Sequence, residues 1–131
     1  TNEQRVKTCN DSKASAMVSI HMNSADKTVT AKGAECWVHT KKPADSQKLA
    51  EDVLKQLKSE AGFNDRGVKY GTVADNQEND YINSHSSCAS MVLQLGFITD
   101  STDVKLVTDK LDTTATAIAD GIVEYLNGKA H

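Results

Sequence analysis

The run Ser90-Met91-Val92-Leu93-Gln94-Leu95-Gly96-Phe97-Ile98 is the most apolar in the chain, and it limits the fold more than any other feature. A short continuous apolar stretch of this kind reads as a buried strand. Such a strand needs helices to cover it, and the sequence supplies them on both sides. Leu49, Ala50, Val53, Leu54 and Leu57 form one apolar stripe at helical spacing. Pro43, the only proline, stands just before that helix, where a missing N–H does no harm. Gly62 follows the last turn and suits the left-handed conformation that ends a helix. Ala115, Ile118, Ala119, Ile122, Val123 and Leu126 repeat the pattern near the end of the chain, with Asn127-Gly128 as the expected stop.

The remaining segments complete a layered arrangement. Residues 3–14 suit a helix, through Val6, Cys9 and Lys13 or Ala14. Residues 16–21 read as a short buried strand and residues 33–39 as a second, rich in side chains that fit a pleated surface. Between them, 22–32 is polar and loop-like, and 63–80 is turn-rich with room for one short strand. The order helix, strand, strand, helix, strand, helix predicts an α/β domain, a mixed and mostly parallel sheet with helices packed on it. Crossover helices between strands require parallel pairs. With 131 residues and neither an internal repeat nor a Pro/Gly-rich linker, residues 1–131 are expected to form a single domain.

Composition removes several classes of function. Fifteen Lys+Arg against 18 Asp+Glu give a formal charge of −3, which is no footprint for nucleic acid or an anionic membrane surface. No apolar run approaches the roughly 20 residues of a membrane helix, so no membrane insertion is expected. Neither a GxSxG nucleophile elbow nor a Gly-rich phosphate loop occurs. Cys9, Cys36 and Cys88 are odd in number, far apart and without a CxxC pair, so they read as small buried thiols rather than a disulfide framework or zinc ribbon. The chain opens Thr1-Asn2-Glu3-Gln4, with no initiating Met and no signal-like segment, and is read as a cut, processed or renumbered chain.

Two polar residues interrupt apolar strands. His21 ends the first strand, and ligand sites in open α/β sheets gather at the carboxyl ends of strands. Gln94 lies within the most apolar strand, where its amide either finds partners in the core or faces a cleft. His39, His85 and Glu35, with the loop carboxylates Asp75, Glu78 and Asp80, are the further groups that could approach the same rim; His131 ends the chain.

Around these residues the sequence resembles a known family. Arg5-Val6-Lys7-Thr8-Cys9-Asn10 with Val18-Ser19-Ile20-His21-Met22-Asn23 is similar to the second metal-histidine region of the zinc-dependent N-acetylmuramoyl-L-alanine amidases of the family-3 type. The resemblance continues through Gly33-Ala34-Glu35-Cys36-Trp37, Ser46-Gln47-Lys48-Leu49-Ala50, Arg66-Gly67-Val68-Lys69, Met91 to Asp100 and the helix at 117–122. These blocks stand in family order over nearly the whole chain.

The resemblance implies an enzyme of phage lysins or secreted bacterial autolysins. It would act on the bacterial cell wall, cleaving the amide between N-acetylmuramic acid and L-alanine in peptidoglycan. In such enzymes Zn2+ held by His, Glu and His activates a water, and a second Glu takes its proton. His21 matches the later metal histidine, and Gln94 stands where the family has its catalytic Glu.

Two departures set further expectations. The family's opening strand, Asp-x-Gly-His-type turn and Glu-bearing helix have no counterpart after Thr1, so the domain is expected to lack its first strand and helix and two of three zinc ligands. At Gln94 an amide replaces the proton acceptor, which predicts an inactive form or a non-catalytic module binding the wall or a partner. The edge of the 16–21 strand is expected to be covered by a missing segment, a partner or strand exchange.

Overall fold

A computed structural model describes residues 1–26 and 28–129, and His131 lies outside the described residues. The elements run α1 (Asn2–Asp11), β1 (Ala16–Asn23), β2 (Ala34–Val38), α2 (Ala44–Gln56), β3 (Asp65–Tyr70), α3 (Tyr81–His85), β4 (Ala89–Phe97), α4 (Ser101–Thr108) and α5 (Leu111–Lys129). A π turn, Leu57–Ala61, prolongs α2. The four strands lie in the order β1-β4-β2-β3. β1 runs parallel to β4 and β2 parallel to β3, and the two pairs meet antiparallel through β2 and β4. The sheet is therefore mixed and mostly parallel, as the crossover helices require.

Alternation along the strands separates two faces. On one, Ala34, Cys36 and Val38 of β2 and Met91 and Leu93 of β4 are fully buried. The stripe Leu49, Ala50, Val53 and Leu54 of α2 joins the same core, together with Ala117, Ile118 and Tyr125 of α5. Gly121 lets the two helices meet, because a Cβ there would lie 2.5 Å from the Val53 Cα. β1 forms an edge of the sheet. Among the described residues nothing pairs with its outer side, so these residues do not themselves supply the expected cover.

Element boundaries depart from the sequence reading where capping decides them. Gly62 ends the helical segment in the left-handed region at φ 85°, as its position predicts. Asn127-Gly128 does not stop α5, which continues to Lys129 because Gly128 keeps helical geometry. α1 ends at Asp11, since Lys13 turns left-handed at φ 54°. β1 continues two residues past His21, to Asn23.

The helices α3 and α4 arise in segments with no apolar stripe, each started by an aspartate. Asp80 accepts from Ile82 N–H, and Asp100 from Asp103 N–H. Asp103 is itself buried, accepting from the N–H of Gly33 at 2.8 Å and of Phe97 at 2.9 Å. One carboxylate thus ties the entrance of β2 to the exit of β4.

Candidate active site

The second face of the sheet carries the polar residues. His21 of β1 is the register partner of Gln94 of β4, and Gln94 is also the partner of Glu35 of β2. Paired residues project from the same face with Cβ atoms about 4.5–5.5 Å apart. His21, Gln94 and Glu35 therefore form one row across three strands, and Ser19, Val92 and Trp37 form the row beside it. Ser19 Oγ and His21 Nε2 share a hydrogen bond of 2.8 Å. Gln94 Oε1 is buried with no hydrogen-bond partner among the described residues. An orphaned acceptor costs about 1–3 kcal/mol, and Asp52 Oδ2 and Tyr125 Oη are buried without a partner in the same way.

Two irregularities in the strands shape the site. The register between β1 and β4 shifts after His21, so that Asn23 faces Phe97. Gly96 stands within that bulge at φ 114°. The extra residue brings Phe97 to the polar face, where strict alternation would have sent it into the core. A second shift separates Ala34 from Cys36 opposite β3, with Gly67 at φ 87°. Beside it Arg66 meets Glu35, its Nε donating to Oε1 at 2.9 Å.

Glu35 is buried and both its oxygens are engaged. Trp37 Nε1 donates to Oε2 at 2.6 Å, while Arg66 neutralises the other side. The Arg66 guanidinium lies 5.0 Å from the centre of the Phe97 ring. The result is a rigid strip, Trp37–Glu35–Arg66–Phe97, that fixes the indole beside Gln94. Sequence reasoning offered Glu35 as a metal ligand and overlooked this strip. The signal was present in the alternation of Glu35 with Trp37, since i and i+2 share a face.

Two hollows open along the strip. One, of about 200 Å³, is lined by Gln94, Trp37, Val92, Asp80 and residues 71–74. The other, of about 300 Å³, lies over Glu35, Arg66, Lys69 and Phe97, with Asn23, Ser24, Ala25, Val29 and Ala31 as its wall. Trp37 and Val73 line both. The 22–32 loop thus supplies one wall of the second hollow. Of residues 75–89, the lining of these two hollows includes only Asp80.

The other candidates are occupied elsewhere. His39 Nδ1 accepts from Lys41 N–H at 3.0 Å in the turn after β2. His85 stacks on Tyr81, ring centres 4.0 Å apart. Asp75 accepts from Gln77 N–H at 2.8 Å, and Glu78 is exposed in the same turn. Among the described residues no group of three His, Cys, Asp or Glu side chains could hold a metal ion. His21 alone does not make a zinc site, because structural and catalytic zinc take three or more protein ligands. The described residues do not by themselves complete a zinc site.

Cysteine placement also differs from expectation. Cys36 is a fully buried thiol in the core, but Cys9 and Cys88 are only half-buried. Their sulfur atoms lie 3.6 Å apart.

Comparisons with known proteins agree with this architecture. The chain is 34% identical over 128 residues to the uncharacterized protein YqiI of Bacillus subtilis, covering 95% of this chain and 58% of that protein. It is 30% identical over 126 residues to the N-acetylmuramoyl-L-alanine amidase LytC of the same organism, covering 94% of this chain and 24% of LytC. The crystal structure of an N-acetylmuramoyl-L-alanine amidase from Clostridium difficile 630 superposes with a TM-score of 0.82 at 29% identity, over 98% of this chain and 67% of that one. The chain thus spans little more than half of YqiI and a quarter of LytC. The sequence profile of the N-acetylmuramoyl-L-alanine amidases matches residues 1–124, and the chain belongs to that family.

Proposed function

We propose that this chain is part of a peptidoglycan amidase domain whose open sheet face binds the wall at the bond between N-acetylmuramic acid and L-alanine. The observation that carries the reading is the row His21–Gln94–Glu35 on that face, in a chain that matches the amidase family over residues 1–124. The Gln94 amide has one acceptor to offer, Oε1, and an N–H₂ that donates. It can hold the scissile amide by accepting from its N–H or, alternatively, by donating to its carbonyl. Trp37, fixed by Glu35, offers an indole face beside it for the apolar side of a sugar ring.

Gln94 does not accept a proton at neutral pH, so this arrangement binds and orients better than it hydrolyses. Loss of a positioned general base typically costs about 10²- to 10⁴-fold in rate. The neutral amide at this position favours a second reading, a non-catalytic module of the same fold that holds wall glycan or a partner. In a complete domain His21 would be one of the residues holding the family's zinc ion, whose chemistry there would be to polarise the scissile carbonyl and activate a water. Further ligands would have to complete such a site. The outer edge of β1 is placed to pair with a further strand, from the same protein or a partner. The site of action is the bacterial wall, as for an autolysin or phage lysin. Among the described residues no helix is long and apolar enough to cross a membrane.

The test is Gln94→Glu in the full-length protein, assayed on purified walls by turbidity and by newly freed L-alanine amino groups. A gain of about 10²-fold or more supports the hydrolytic reading. Wall binding by both forms with no new amino groups from either supports the non-catalytic one.

A further inference from the structure

We propose that Cys9 and Cys88 form a redox-controlled clamp, a disulfide that locks α1 onto the segment leading into β4. Their sulfur atoms touch at 3.6 Å although 79 residues separate them in sequence. The surroundings already hold the two segments in place. Asn10, next to Cys9, donates from Nδ2 to the His85 carbonyl at 3.0 Å, and its Oδ1 accepts from both the N–H and the Oγ of Ser87. Val6, one turn earlier, is buried. Bond formation then needs the two sulfurs to close by about 1.5 Å. Both cysteines are half-buried, and so within reach of a small oxidant. Cys36 provides an internal contrast: it is fully buried, and burial pushes its thiol far above the ordinary range, which keeps it unreactive.

The oxidant is a disulfide, small-molecule or protein-borne. One cysteine thiolate attacks it, forming a mixed disulfide and releasing one thiol. The second cysteine attacks that mixed disulfide, the Cys9–Cys88 bond forms, and the second thiol leaves. Two protons and two electrons pass from the protein to the oxidant, so one disulfide is consumed and one made. Such a bond persists outside the cell and is reduced within it. Closing a loop this long restricts the unfolded chain strongly, and the clamp fixes a point six residues ahead of Gln94.

The experiment treats the intact folded protein with oxidised glutathione and then with dithiothreitol. Peptide mapping is expected to recover a Cys9–Cys88 linked pair, with Cys36 still a thiol. The melting temperature is expected to rise by about 5–15 °C on oxidation and to return on reduction. Cys9→Ser and Cys88→Ser should each abolish the shift while folding as the reduced protein does. Glutathione adducts without the linked pair overturn the proposal. So does a linked pair whose formation leaves the melting temperature unchanged or lower.

Discussion

The two faces of the sheet are built from the same strands and do opposite things. In β4, Met91 and Leu93 point into a core closed by α2 and α5, while Val92 and Gln94 point to the other side. In β2, Cys36 and Val38 are core, while Glu35 and Trp37 belong to the polar strip. The core face buries mainly apolar area, although Tyr125 within it leaves its hydroxyl without a partner among the described residues. The other face buries Glu35 and part of Gln94, and it tolerates this only because Trp37 and Arg66 satisfy the carboxylate. Gln94 Oε1 has no such partner among the described residues.

The sharpest way to break this contrast is to exchange the roles of neighbouring residues. Leu93→Ala removes a fully buried side chain and is expected to cost about 2–5 kcal/mol in denaturant unfolding. His21→Ala, one strand away on the exposed polar face, should change stability by less than about 0.5 kcal/mol. Equal losses would contradict the division of labour. Asp103→Ala probes the joint between the strand ends. It strands the N–H groups of Gly33 and Phe97 and is expected to cost about 2–4 kcal/mol, with Asp103→Asn recovering part of that.

The smallest effect lies on the helices that close the core. Glu124 accepts from Lys55 at 2.7 Å and Gln56 at 2.7 Å, which holds its carboxyl below the ordinary value of 4.5. A carboxylate with a lowered folded-state pKa stabilises the fold above the unfolded pKa, and that contribution is lost as pH falls through the folded one. Glu124→Gln should therefore lower the melting temperature slightly at pH 7, and the difference should shrink on the way down to about pH 3. A difference that grew with acidity would reverse the assignment.

Much of the fold was legible because periodicity reports burial directly. The stripe from Leu49 to Leu57 and the run around Leu93 needed no tertiary knowledge, and His21 and Gln94 stood out as polar breaks in apolar strands. What could not be read came from contacts across long separations. α4 depends on Asp103, which reaches Gly33 seventy residues away. The Cys9–Cys88 contact spans 79 residues, and no spacing rule joins two cysteines so far apart. The bulges at Gly96 and Gly67 decide that Phe97 and Arg66 meet, and a bulge shifts a period-2 pattern without announcing itself. Asn127-Gly128 misled for the opposite reason: glycine permits a helix to stop but does not compel it.

The central claim is that the polar face of the sheet, and not a groove elsewhere, receives the wall. Titrating the protein with a soluble muropeptide carrying the N-acetylmuramoyl-L-alanine linkage, followed by residue-specific NMR shifts, tests this most directly. The Trp37 indole N–H, the Gln94 side-chain amide and the His21 ring are expected to shift together, with the core-face residues Leu93 and Val53 unchanged. Shifts confined to another surface, such as the hollow lined by residues 108–113, would contradict it.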